Sequence, residues 1–354
     1  MQNLPFAVLR NPHMSYVYQQ YFKTFDTLRK MPEIKTLKQN DDFCQVLRQV
    51  LRDNLSIVPR VVIGILETNE KMSPEKIDEF LTLLLKTRIS RRVIAEQHLA
   101  LTETYQDPSY SPDHYAQADV VGSIVSKLNP KSVVEQCAGN LRKFLKQSYG
   151  DGVILPELTL QGHLEATITY IPRHLEIILG EVLRNSFQAV IEQRQDNGSR
   201  PPPIEVTICE SPQDVIIRIS DQGKPVEVWE GNQTLTEAGL GIKADFISHL
   251  WSFGPGPRRN TRLDSFKEFK ALGEGDTSSA RPEQYDLSLN SFTTRPTDLR
   301  LGIGLPMARL YSSYLGGSLK IHSLEGYGVD AFLQISKLGN KNEQLSMRAT
   351  LDAL

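Results

Sequence analysis

Cysteine is scarce in this chain: Cys44, Cys137 and Cys209 are the only three in 354 residues, and no Cys-x-x-Cys spacing occurs. An odd, scattered set excludes a disulfide framework and a thiolate metal centre, and it fits a reducing compartment. No apolar stretch approaches the length of a membrane span, and Met1 is followed by neither a cleavable signal nor an Arg-rich transit peptide. The chain reads as soluble, with any targeting segment outside this sequence. An excess of one charge is also lacking. Forty basic residues stand against 42 acidic ones, for a net charge of -2. No run of Lys and Arg forms the stripe a nucleic-acid face needs, so nucleic acid is not an expected partner. The length exceeds what one ordinary core supports, and two domains are expected.

From His13 to about Leu128 the apolar residues recur at helical spacing, as in Tyr18, Tyr21, Phe22, Phe25 and Leu28, then Val46, Leu47, Val50 and Leu51. Ser73-Pro74 has the form of a cap followed by proline at the first helical position. Asn129-Pro130 repeats it ahead of a helix running to about Tyr149. A helical bundle accounts for this half. His98 and Arg91-Arg92 sit within it, where a lone His is more often a hydrogen-bonded core residue than a ligand. Asp107 to Asp113 reads as a polar connector.

After Gly150-Asp151-Gly152 the period changes from helical to alternating. Val153–Leu160 and Ala166–Ile171 read as strands, Arg173–Gln195 as a helix, and Ile204–Cys209 and Val215–Ser220 as strands. A helix over Leu305–Tyr314 and strands over Ser318–Leu324 and Val329–Ile335 complete the pattern. The expectation is an α+β protein: a helical bundle over residues 1–150, an α/β sandwich over 151–340, and a tail over 341–354. The polar, Gly- and Pro-containing stretch between Lys224 and Leu301 is long enough to suggest a lid or a disordered segment.

Four short blocks carry the chemistry. Glu181 and Asn185 are four apart on the expected helix and share one face. A carboxylate there can take a proton from a hydroxyl or water, and an amide oxygen suits Mg²⁺, although such a pair alone is more often a solvated helix face. Asp221 precedes Gly223 at a turn, where its carboxylate can accept a hydrogen bond from the amino group of adenine; alone it is more often a surface turn. Gly302 and Gly304 stand just before a helix, whose N-terminal N–H groups can hold phosphates. Glu325-Gly326-Tyr327-Gly328 is most simply a turn between strands. Any one block says little. In this order they lay out an ATP site.

That order resembles the nucleotide-binding domain shared by gyrase, the ninety-kilodalton heat-shock chaperones, histidine kinases and mismatch-repair ATPases. The resemblance narrows at Asn11-Pro12-His13, Phe43-Cys44, Thr87-Arg88-Ile89-Ser90, Gln97-His98-Leu99-Ala100-Leu101, Leu128-Asn129-Pro130-Lys131, Tyr314-Leu315-Gly316-Gly317-Ser318-Leu319 and Ser323-Leu324-Glu325-Gly326. These segments, spread over nearly the whole chain, resemble the mitochondrial 2-oxoacid dehydrogenase kinases, with N-terminal wording similar to the branched-chain member. The resemblance implies a bundle regulatory domain and a histidine-kinase-type domain that uses ATP and Mg²⁺ to phosphorylate serine on the E1α subunit of a pyruvate or branched-chain dehydrogenase complex, switching it off. It also implies a mitochondrial matrix location, docking to a lipoyl domain of the E2 core, and a homodimer or a heterodimer with a related kinase. Glu181 is the expected base and Asn185 the Mg²⁺ ligand. Asp221 is expected to contact adenine and Gly302 and Gly304 to cradle phosphate, with Gly223 and Leu305 among the nucleotide-binding residues. The family carries a further helical stretch ahead of the part matching Leu4-Pro5-Phe6, so the sequence reads as N-terminally shortened.

The chain departs from the family at several positions. Asp-x-Gly-Gly-Gly is Asp221-Gln222-Gly223-Lys224-Pro225, the Thr before the final Asp is Val329, and the Lys one residue before the Asn is Arg184. The His that pyruvate-directed members place one turn before the Glu is Ile177, and the position of their regulatory bundle His is about Asn54. The first two changes predict weaker ATP binding and keep open a second reading, a non-catalytic scaffold that binds the E2 core or a partner kinase.

Overall fold

A computed structural model of the chain describes residues 4–107, 119–150, 152–197, 200–223, 301–324 and 327–337, with a few positions between 229 and 264. The chain first divides between Ala116 and Gln117. This division lies ahead of the expected boundary at residue 150.

The first unit is helical: α1 (Phe6–Leu9), α2 (Pro12–Arg29), α3 (Leu37–Asp53), α4 (Ile57–Glu67) and α5 (Pro74–Gln106). Its start signals are local. Asn11 accepts the His13 and Met14 N–H groups ahead of a proline at the first position of α2. Thr36 and Gln39 form a reciprocal capping box on α3. Ser73 differs from expectation: its side chain makes no cap bond and turns instead to the carboxylate of Glu75. Helix α4 is apolar on nearly every side, with residues 57–59 and 61–66 buried, and it packs against α2. Cys44 and Leu47 of α3 meet Leu99 of α5. His98 is placed as a core residue, its Nε2 3.0 Å from Asn40 Oδ1 and its ring edge-on to Phe43.

The second unit opens with a hairpin, β1 (Val120–Val121) and β2 (Ile124–Leu128), turning at Gly122 with φ 60°. The sequence had read as helical to Leu128; the β-branched run here pairs instead, and β2 adds β4 (Ile168–Tyr170) in a three-stranded sheet. Helix α6 (Pro130–Tyr149), capped by Asn129, belongs to this unit and packs on α7 (Pro172–Asn197). The main sheet has the order β3 (Leu158–Gly162), β5 (Ile204–Glu210), β6 (Asp214–Asp221), β10 (Gly328–Ser336), β9 (Ser318–Leu324). Only the β3–β5 pair is parallel. Strand β3 begins at Leu158, five residues later than expected, whereas β9 has the expected bounds. A short pair, β7 (Trp229–Glu230) and β8 (Gln233–Thr234), stands apart.

Alternation along the central strands sends Val215, Ile217 and Ile219 of β6 and Ala331, Leu333 and Ile335 of β10 into the core. Helix α7 and helix α8 (Gly304–Tyr314) pack on each other and on this sheet. His174 of α7 lies edge-on to Tyr311 of α8 with centroids 4.8 Å apart, which fixes the pair near one end. This is an α+β protein, with a helical bundle and an α/β sandwich as the pattern of periods implied. Among the described residues no helix is long and apolar enough to cross a membrane. The stretch read as a lid and the tail at 341–354 lie almost wholly outside the described residues.

Candidate functional site

Helix α7 is buried on nearly every side, and the polar residues it nevertheless carries define the site. Glu181, Arg184, Ser186 and Gln188 are all buried among Leu179, Val182, Leu183, Phe187 and Val190. Taking polar groups out of water is costly unless they are bonded, so such a concentration on one helix marks a place where function outweighs packing.

Glu181 and Asn185 share the face expected from their spacing. The Asn185 side-chain amide donates to the Glu181 main-chain carbonyl at 2.9 Å, one turn back. That bond sets the plane of the amide, and its oxygen takes up no bond within the described residues, so it remains available to a cation. Glu181 is 2% exposed, and its carboxyl group lies against Gly304 of α8. A β-carbon at position 304 would stand 2.9 Å from Glu181 Cδ and closer still to Oε2, so only glycine fits there without moving the carboxylate.

Gly302 has φ 66°, in the left-handed region that glycine adopts freely, and it turns the chain into α8. Ile303 at the N-cap makes no side-chain cap bond, and Pro306 has no N–H. The N–H groups of Gly304 and Leu305 therefore have no intrahelical acceptor, and they emerge at the positive end of the helix dipole beside Glu181. Free N–H groups at a helix N-terminus are a phosphate cradle.

Asp221 ends β6, buried, with Oδ1 accepting the Gly223 N–H at 3.1 Å. Burial pushes its carboxyl above the ordinary aspartate range, and the nearby charge of Asp330 adds to the rise; hydrogen bonds from Ser186 and the Gly223 N–H oppose it. Gly223 is itself buried against α7: a β-carbon would stand 2.7 Å from the Ala189 carbonyl carbon and 2.8 Å from Val190 N. The Asp221 turn is thus seated on the helix that carries Glu181 and Asn185. Lys224 and Pro225 fall outside the described residues.

All seven expected site residues, Glu181, Asn185, Asp221, Gly223, Gly302, Gly304 and Leu305, lie in this one unit at α7, the start of α8 and the end of β6. Sequence reasoning missed Ser186 and Ala189. Their signal was faint, being a hydroxyl and a small residue within a helix buried on nearly every side. Among the described residues no three His, Cys, Asp or Glu side chains converge on a metal position. The donor set suits a cation that brings its own phosphate and water ligands, with Asn185 as a neutral protein ligand.

Residues 1–125 match the family model described as mitochondrial branched-chain alpha-ketoacid dehydrogenase kinase. Among curated proteins, the mitochondrial [pyruvate dehydrogenase (acetyl-transferring)] kinase 2 of Saccharomyces cerevisiae is 28% identical, the alignment covering 98% of this chain and 75% of that protein. The corresponding mitochondrial kinase of Arabidopsis thaliana is 29% identical over 98% of this chain and 81% of its own length. Isozyme 3 of Homo sapiens is 26% identical over 96% of this chain and 74% of that protein.

Proposed function

We propose that the chain, similar over residues 1–125 to the branched-chain alpha-ketoacid dehydrogenase kinase model and over 98% of its length to mitochondrial pyruvate dehydrogenase kinases, is an ATP- and Mg²⁺-dependent protein-serine kinase of the mitochondrial 2-oxoacid dehydrogenase kinase family, working in the mitochondrial matrix. Its substrate is the E1α subunit of a pyruvate or branched-chain dehydrogenase complex, which phosphorylation switches off. It reaches that subunit by docking to a lipoyl domain of the E2 core, as a homodimer or paired with a related kinase. The observation that carries the reading is the contact of the Glu181 carboxyl group with Gly304, because it sets a proton acceptor beside the helix N-terminus suited to phosphate.

Phosphoryl transfer asks the protein for position and charge neutralisation more than for covalent chemistry. Glu181 accepts the proton of the serine hydroxyl as its oxygen bonds to the γ-phosphorus and ADP departs. The Gly304 and Leu305 N–H groups take charge on the phosphates. Asp221 accepts the adenine amino group, with Gly223 holding the turn. Asn185 would hold Mg²⁺, which supplies charge neutralisation on the phosphates. A site of this kind is built to turn over, which weighs against a scaffold; Val329 and the altered residues after Gly223 are what favour one.

Incubation of the protein with labelled ATP and, separately, purified pyruvate and branched-chain E1 tests the reading. Incorporation of label into serine of either E1α is the expected result, and the one labelled identifies the substrate. Binding to the E2 core without label transfer to either E1 would establish the scaffold instead.

A further inference from the structure

Asp221 is held from two sides. One is local: the Gly223 N–H two residues along the chain. The other comes from α7, where buried Ser186 stands three residues before the Ala189 against which Gly223 packs, and turns its hydroxyl to the same carboxylate. The third direction is β10, where the residue directly opposite Asp221 is Val329. Side chains of an opposed antiparallel pair lie on the same face of a sheet, and alternation places Asp221 with Ile217 and Ile219, and Val329 with Ala331 and Leu333. Val329 therefore offers methyl groups, and no donor, on the side of the sheet that Asp221 faces.

A carboxylate must be fixed in orientation before its remaining lone pairs can select a ligand N–H. The Gly223 bond belongs to the turn itself and moves with it. Ser186 is anchored on a different element, the buried helix that also carries Asn185 and Glu181, and so ties the carboxylate to the rest of the site. Resting on the nucleotide reading above, we propose that Ser186 is the positioning residue for adenine recognition: its hydroxyl aims Asp221 at the 6-amino group, a task to which β10 contributes no hydroxyl. The valine at position 329 is then no sign of a decayed pocket, because the second donor comes from the helix.

Calorimetric titration of the full chain with ATP and with inosine triphosphate, whose base carries a carbonyl in place of the 6-amino group, isolates this role. The parent should prefer ATP. Ser186→Ala should weaken ATP binding about tenfold while leaving inosine triphosphate within about twofold, since only the former uses the oriented acceptor. Ser186→Thr, which keeps the hydroxyl, should restore the preference. A parallel loss of both nucleotides in Ser186→Ala would assign Ser186 to packing and overturn the proposal, as would an unchanged ATP preference. If the parent binds neither nucleotide, the nucleotide reading fails and the positioning role falls with it, an outcome distinct from the other two.

Discussion

Gly304 stands against the carboxyl group of Glu181, so close that a β-carbon there would lie 2.9 Å from its Cδ. The clash falls on the end of a long side chain, not on backbone, so the carboxylate can be displaced while the fold survives. Gly304→Ala should therefore cut phosphoryl transfer about a hundredfold or more, because a base moved by an ångström loses its geometry. It should cost only about 1–3 kcal/mol of stability from overpacking. Single-turnover rates and thermal unfolding measure the two effects. A rate within about twofold of the parent would show that the carboxylate position is immaterial.

Glu181→Gln keeps the shape of the side chain and removes its capacity to accept a proton as a base. Loss of a general base typically costs about 10² to 10⁴ in rate. Nucleotide affinity should change little, since the phosphate donors at Gly304 and Leu305 and the Asp221 turn remain. The base assignment is falsified if the variant turns over at nearly the parent rate.

Asn185 donates one amide N–H to the Glu181 carbonyl, and its oxygen takes up no bond within the described residues. Asn185→Ala should abolish most of the enhancement of ATP binding by Mg²⁺, and Asn185→Asp, which retains an oxygen ligand, should preserve it. Titrating nucleotide with and without Mg²⁺ into each variant checks this. An unchanged Mg²⁺ dependence in Asn185→Ala would give the residue a structural role only.

The parts of the fold and site legible in the sequence were those written locally. The period-two pattern of Ser318–Leu324 gave β9 its bounds, and the four-residue spacing placed Glu181 and Asn185 on one face. The hairpin at Val120–Leu128 was obscured because a short β-branched run after a long helix continues the apolar spacing, while its third partner, Ile168–Tyr170, is supplied by tertiary pairing. Ser186 was hidden for a related reason. A serine in a helix ordinarily bonds its own backbone, and only the approach of β6 gives its hydroxyl the Asp221 carboxylate. The tight approach of Gly304 to Glu181 was likewise invisible, since a Gly-x-Gly before a helix reads the same whatever packs beside it.

Asp221 also sets a trade between stability and binding. Burial raises its carboxyl above the ordinary value despite bonds from Ser186 and the Gly223 N–H, and the charged group adding to the rise is Asp330 on β10. A carboxyl raised in the fold favours the native state below its unfolded pKa, and that contribution is lost as pH rises through the higher folded value. At neutral pH the parent thus carries the cost of an ionised buried group. Asp221→Asn removes the charge and keeps one acceptor for Gly223, so it should melt at a higher temperature than the parent at pH 7. The gap should narrow as pH falls through the window between the raised value and the ordinary aspartate value. ATP affinity should move the other way, because the asparagine has fewer acceptors left for the adenine amino group once the Gly223 bond is made. Thermal melts across that pH window, paired with ATP titrations at pH 7, measure both. A variant that melts below the parent at pH 7 would mean that the ionised carboxylate is not under the strain its burial implies, and one that binds ATP as tightly would mean that Asp221 does not hold the adenine amino group.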